Sequence, residues 1–269
     1  VRQRFKLEVA LPDAIAKNQF FLHYQPKADC HSNRVIGFEA LLRWQHPEYG
    51  LIPPGDFIPI IDEDNLVIEI GEWVLNEVCR QLAEWRQQGL PLLPVAVNIS
   101  GHHLHSPSLL PCVQQTLKAH AISSDLLELE ITEGVLTSNT EHSIAVMSAL
   151  KTHGIKLSVD DFGTGYSSLS YLKNFPIDIL KIDRTFVCDS ASNIEDSAIC
   201  KAIITLAKNL DLQIIAEGVE TPEQLAFLQQ HDCHSYQGYL FSRPLAPESI
   251  PAFLAPNAKP LPLPAESTS

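Results

Sequence analysis

Acidic and amide side chains recur at the ends of otherwise apolar runs in this chain of 269 residues. Glu39 sits late in VIGFEALL, Asn98 closes VAVN, and Glu130 lies late in LELE. Asp160 and Asp161 close LSVDD, and Glu217 closes IIAE. Arg43, Lys181, Asp183 and Gln237 hold comparable places in EALLR, ILKID and SYQGYLF. A solvated loop does not produce that pattern, because a charge embedded in a buried strand is costly unless it is paired or bound to a cation. Glu39, Asn98, Glu130, Asp160, Asp161 and Glu217 form an all-oxygen donor set, which suits hard divalent ions such as Mg²⁺ or Mn²⁺. The adjacent Asp160 and Asp161 can serve two ions, one carboxylate bridging. Two ions roughly 3.5–4 Å apart are the arrangement used for phosphodiester hydrolysis.

Such a set must be brought together by the elements that carry it. Short β-rich runs occupy Phe20–Gln25, Val35–Leu42, Val95–Ile99, Leu126–Ile131, Lys156–Val159, Ile179–Ile182, Gln213–Ala216 and Ser235–Leu240. Helical periods lie between most of them: Leu66–Gln88, Pro107–His120, Glu141–His153, Glu195–Asn209 and Pro222–Gln230. Gly89 predicts a helix C-cap, and Thr221-Pro222 an N-cap followed by proline at the first helical position. Strands alternating with helices predict an α/β fold of the TIM (β/α)8 type, with its active site at the C-terminal strand ends. Pro26–Arg34 reads as a short polar loop, whereas a parallel crossover needs about a dozen residues or more. The first strand is therefore expected antiparallel to the second, making the barrel irregular. Residues 1–18 read as a lead-in helix or linker, interrupted at Pro12, from an upstream module. Residues 19–255 are the expected barrel and residues 256–269 a disordered Pro-rich tail.

Composition narrows the function. Lys+Arg number 19 and Asp+Glu 32, so the net charge is −13, with 45% apolar residues. That is a globular composition. It argues against a duplex nucleic-acid binder, which needs a basic face, but not against a phosphate ligand held through metal ions. Cys30, Cys79, Cys112, Cys188, Cys200 and Cys233 form no CxxC pair and read as reduced thiols of a cytoplasmic protein. No membrane segment or signal peptide is expected in this stretch. The chain begins at Val1, so it is expected to be a fragment, and the longer parent could be membrane-tethered.

Several segments resemble one family. EALLRW at Glu39–Trp44 resembles the signature of EAL domains, the cyclic-di-GMP phosphodiesterases. Tyr24-Gln25-Pro26, VNIS at Val97–Ser100, ELEITE at Glu128–Glu133 and DDFGTGYSSLSYL at Asp160–Leu172 agree with it. So do LKIDRTFV at Leu180–Val187, IAEGVET at Ile215–Thr221 and QGYLFSRPL at Gln237–Leu245. The resemblance implies hydrolysis of cyclic di-GMP to linear pGpG by water attacking one phosphorus, in the output domain of a bacterial signalling protein. It implies the same metal ligands as the donor set above, catalytic roles for Glu39, Lys181 and Glu217, and a water-orienting role for Lys181. Glu217 is left as ligand or general base. Gln25, Leu42, Arg43, Asp183, Glu220 and Gln237 would line the substrate groove. Arg43 suits a phosphate oxygen, because its planar fork donates bidentate hydrogen bonds. Glu133 matches a loop-anchoring glutamate, with the loop Asp161–Ser168 coupled to a homodimer interface. Ca²⁺ is expected to bind and inhibit through its looser coordination. An upstream sensory or GGDEF-type domain is the implied partner. The competing reading is a receptor module that holds cyclic di-GMP without turnover.

Plainer readings stand beside these. Glu39 alone could be an interior charge paired with an arginine, and Asp160-Asp161 a helix N-cap pair. Lys181 could be a structural partner of Glu128, with both roles coexisting. His102, His103 and His105 read as a surface loop rather than a zinc site, since no cysteine or carboxylate spacing supports one. Asp161-Phe162-Gly163 spells a kinase motif, but no glycine-rich loop or HRD accompanies it.

Overall fold

The computed structural model describes residues 2–62, 66–163, 172–188 and 194–254. Among the described residues nine strands form one sheet: β1 (Phe20–Asp29), β2 (Val35–His46), β3 (Gly50–Ile52), β4 (Val95–Asn98), β5 (Leu127–Thr132), β6 (Lys156–Phe162), β7 (Ile179–Ile182), β8 (Gln213–Ala216) and β9 (Ser235–Tyr236). β2 and β4 to β9 run parallel in succession, and β1 closes the ring by pairing with both β9 and β2. It is antiparallel to each of them. The result is an eight-stranded mixed barrel, with β3 hanging outside the ring as a hairpin on β2.

The antiparallel first strand follows from the short connection, as expected, but the connection is shorter than the residues suggest. Pro26–Asp29 belongs to β1 and not to a loop; Pro26 pairs with Phe38 and Lys27 with Gly37 across the ladder. Lys27 looks like a loop residue only because the barrel interior it enters is itself polar, while Asp29, at the strand's end, caps the turn by accepting from the His31 and Ser32 amides. β2 likewise continues past Leu42 to His46, where β3 returns along it. The last strand is shorter than its apolar run: it stops at Tyr236, and Gln237–Leu240 leaves the sheet.

Helices cover the outside. Leu66–Gln87 buries Ile70, Val74, Val78, Leu82 and Trp85 on one stripe, the spacing of a helix with one face in the core. Gly89 ends it with φ +74 and donates to the Arg86 carbonyl. Helix Pro222–Gln230 starts with a reciprocal capping box, Thr221 accepting from the Gln224 amide while Gln224 holds the Thr221 amide. The lead-in helix Arg2–Ala14 runs unbroken through Pro12. Pro12 lies in its last turn, so only one helical hydrogen bond is lost, and Leu7, Leu11 and Ala14 are buried. The tail 256–269 and Thr164–Ser168 of the expected loop lie outside the described residues.

One close approach holds the end of the barrel that matters most. Just beyond Gln237, Gly238 lies so near Val219 that an added Cβ would come 2.1 Å from its carbonyl oxygen and 2.3 Å from its nitrogen. Backbone atoms cannot rotate away as a side chain can. Gly238→Ala is therefore expected to lower stability by about 1–3 kcal/mol or more, read by urea unfolding; an unchanged midpoint would show that the Val219 segment yields freely.

Candidate active site

Inward-facing residues alternate along the strands. The parallel strands bring Asn98, Glu130, Asp160 and Lys181 to one end of the barrel, with Glu217 and Gln237 just past β8 and β9. β1 runs the other way, so its Gln25 reaches the same mouth from the middle of the strand, paired with Glu39. Ala96, Ser158 and Ser235 are buried small residues facing inward, and they leave room for long side chains.

Lys181 is the centre of this arrangement, fully buried at 0% exposure. Its Nζ lies 2.6 Å from Glu217 Oε1, 2.8 Å from Glu130 Oε2, 3.1 Å from Asp160 Oδ2 and 3.8 Å from Glu39 Oε2. Glu39 is held from two further sides: Asn98 Nδ2 donates to Oε1 at 2.8 Å and Gln237 Nε2 to Oε2 at 2.6 Å. Gln237 also donates to Gln25 Oε1 at 3.0 Å, and Gln25 to the Ser242 carbonyl. Glu39, Asn98, Glu130, Asp160, Glu217, Lys181, Gln25 and Gln237 thus share one contact network.

The remaining expected site residues surround it. Asp161 adopts φ +54, a left-handed conformation that turns the chain at the barrel rim. Its amide donates to Asp160 Oδ1 at 2.8 Å. Glu133 Oε2 accepts from the Gly163 amide at 2.8 Å, so it anchors the first residues after β6. Asp183 Oδ1 accepts from the amide and hydroxyl of Thr185, starting the helix Arg184–Cys188. Leu42 and Arg43 line a cavity of about 750 Å³ that adjoins the mouth on the side of β2 and β4. Glu220 is exposed, and its amide, not its carboxylate, bonds to Gln224.

Three plain readings are corrected. Lys181 does not take Glu128; that carboxylate pairs with Lys27, at 3.1 Å. Lys27 was hidden in an apparent loop, and the signal that would have found it is its spacing of two from Gln25. His103 is not on a surface loop. It lies in a one-turn helix, Gly101–Leu104, capped by Ser100, and is 1% exposed. The absence of a side chain on Gly71 admits its ring, since a Cβ there would come 2.4 Å from His103 Nδ1. Glu39 is paired through amides and Lys181 rather than with an arginine.

Charge crowding shapes the protonation of the cluster. Burial raises the Glu217 carboxyl to about 8, with Asp160, Glu39 and Glu130 adding to the rise and Lys181 opposing it. Asp161 is raised to about 6 by burial, then by Asp160 and Asp183. Glu39 is also raised, chiefly by burial. Burial would raise Glu130 as well, but Lys181 and Lys27 outweigh it and hold the group at about 2. Buried carboxylates that are also crowded by other carboxylates are short of positive charge. Asp160, Asp161 and Glu217 each offer an oxygen within 4.8 Å of the others, the one such group of acidic, His or Cys side chains among the described residues. That all-oxygen trio fits a hard divalent cation.

Comparison with known proteins finds a family that covers most of the chain. The EAL domain family matches residues 8–244. The bifunctional diguanylate cyclase/cyclic di-GMP phosphodiesterase MucR of Pseudomonas aeruginosa is 42% identical over 254 residues, covering 94% of this chain and 37% of MucR. The cyclic di-GMP phosphodiesterase NbdA of the same organism is 42% identical over 252 residues, covering 94% of this chain and 32% of NbdA. The chain thus spans about a third of the length of these relatives. The solved structure of the MucR phosphodiesterase in complex with c-di-GMP superposes with a TM-score of 0.87 at 42% identity, covering 91% of this chain and 99% of that one.

The protonation pattern sets a sign for stability. In the metal-free fold Glu217 keeps a proton up to about pH 8 that the unfolded chain has released near 4.5. The folded state then binds more protons, so its stability falls as pH rises through that window. Glu130, held at about 2, gives the opposite slope below pH 4.5. Chelator-treated protein is expected to unfold at lower temperature at pH 8 than at pH 5.5, and Glu217→Gln to flatten the difference. A flat wild-type profile would show that the carboxylates are not crowded in solution.

Proposed function

The chain belongs to the EAL domain family, and on that premise we propose that it hydrolyses cyclic di-GMP to linear pGpG in a metal-dependent reaction. The observation that carries this reading is the ring of Glu39, Glu130, Asp160 and Glu217 carboxylates around one barrel mouth, with the Asn98 side chain bonded to Glu39 and Asp161 beside it. Those six residues would hold Mg²⁺ or Mn²⁺, two ions being the natural occupancy for adjacent aspartates. Divalent ions at such a ring supply an acidified water and neutralise charge on the phosphate.

The chain's own groups do the rest. Arg43, on the wall of the cavity beside the mouth, binds a phosphate oxygen through its guanidinium fork. Gln25, Leu42, Asp183, Glu220 and Gln237 line the groove around the nucleotide. Lys181 lies at the centre of the ring with its three donors on carboxylates, and a donor released when one of those carboxylates turns to a cation would orient the water that attacks phosphorus. The P–O3′ bond breaks, the water oxygen stays on phosphorus, and the leaving oxygen takes up a proton. Glu217, 2.6 Å from Lys181, is placed to hold a cation or to accept the water proton, and one lone pair serves only one of these. We assign the dimer and an upstream sensory or GGDEF-type domain as further features of the longer protein. Among the described residues no helix is long and apolar enough to cross a membrane.

Incubation with cyclic di-GMP and Mg²⁺ or Mn²⁺ should yield pGpG on chromatography. EDTA should abolish the product, and Ca²⁺ should bind without supporting turnover. Nucleotide bound but never opened, in either metal, would make the chain a receptor. Glu39→Ala is expected to cost at least about a hundredfold in kcat, whereas Arg43→Ala should raise KM for the nucleotide and leave metal affinity intact. A Glu39→Ala protein with normal kcat would remove it from the ligand set.

A further inference from the structure

β1 delivers a second lysine to the barrel interior, one layer below the ring. Lys27 is 2% exposed. Its Nζ lies 2.8 Å from Glu130 Oε1 and 3.1 Å from Glu128 Oε1. Lys181 takes the other oxygen of the same carboxylate, Glu130 Oε2, at 2.8 Å. The plane of Glu130 is therefore set by two ammonium groups, one on each oxygen. Glu128 is 4% exposed, and among the described residues its ion-pair partner is Lys27 alone. From the deeper layer upward the charges alternate in sign: Glu128, Lys27, Glu130, Lys181, then Glu217 and Asp160.

A buried Lys–Glu pair is a poor way to stabilise a barrel. Desolvating both groups offsets most of their attraction, and apolar residues of similar size do as well or better. The direction of β1 gives the pair another use. Because this strand of the barrel runs against both its neighbours, successive inward residues descend from the mouth, Gln25 first and Lys27 next. Lys27 can then hold Glu130 from below while Lys181 holds it from beside.

We propose that Lys27 is a positioning residue, turning the Glu130 carboxylate into the orientation that the metal-holding ring requires, with Glu128 present to keep Lys27 in place. The inference rests on the phosphodiesterase reading only for its kinetic consequence; the orientation of a ring donor is testable without substrate. Outer partners of metal ligands typically carry about 10–100-fold in metal affinity or activity.

The test compares wild type, Lys27→Met, Lys27→Arg and the double variant Lys27→Met/Glu128→Gln. The double variant conserves net charge and strands no carboxylate, whereas Lys27→Met alone leaves the buried Glu128 without its partner. Mn²⁺ binding is measured by calorimetry on each protein without nucleotide, alongside thermal unfolding and kcat and KM for cyclic di-GMP. The expected result is a double variant that unfolds near the wild-type temperature, binds Mn²⁺ about 10–100-fold more weakly and loses kcat with KM little changed, with Lys27→Arg recovering part of both. A double variant with wild-type Mn²⁺ affinity and kcat would overturn the proposal, because Lys27 would then only neutralise Glu128. If wild type binds Mn²⁺ but turns over no nucleotide, the positioning role still stands or falls on the calorimetry, and the activity assignment alone is lost.

Discussion

Negative charge packed inside a barrel must be compensated, and most features of this molecule answer to that. Four carboxylates surround the Lys181 ammonium group within 3.8 Å, and Lys27 neutralises a fifth, Glu128, one layer down. An isolated buried carboxylate would take a proton instead of staying ionised. Here Glu130, held by both lysines, stays ionised into strong acid, while Glu217 and Asp161 are pushed toward their neutral forms. The fold thus concentrates negative charge on the side where Asp160, Asp161 and Glu217 converge. A divalent cation would offset that charge, which is why metal, charge and barrel belong to one account.

The scaffold is arranged to keep those groups where they are. Ladder hydrogen bonds fix the strand ends relative to one another, and the rim is tied by contacts outside the Lys181 cluster. Glu133 grips the Gly163 amide, Asp183 starts a helix through Thr185, and Gly238 lets the Gln237 segment lie against Val219. Sites built on strands and capped helix starts hold geometry better than sites on free loops. The single reversed strand of the barrel contributes to the same interior: it brings Gln25 to the mouth and Lys27 to the layer below.

Where local signals were strong, the elements were readable before the structure. Ile179–Ile182, Gln213–Ala216 and Pro222–Gln230 occupy the expected spans, and the capping residues Thr221 and Gly89 act as expected. The failures share a cause. Pro26–Asp29 was read as loop because Lys27 and Asp29 are polar, yet it is strand, with Lys27 turned into the polar interior. His103 was read as exposed for its type, yet a missing side chain at Gly71, distant in sequence, makes a space for it. β3 carries too few residues for any period to declare it. In each case the deciding partner lies far away along the chain.

The residues themselves determined which groups are chemically able, since a carboxylate at a strand end is written into the sequence and a barrel must gather such ends at one mouth. They determined the reversal of the first strand too, because too few residues separate it from the second for a crossover. What only the tertiary structure decided is how the opposite charges are shared. Lys181 and Lys27 have the same side chain, and nothing local says which takes Glu128 and which is surrounded by the ring. Coulomb attraction falls with distance and grows with burial, so that assignment exists only once the barrel has closed and put each ammonium group within reach of its own carboxylates.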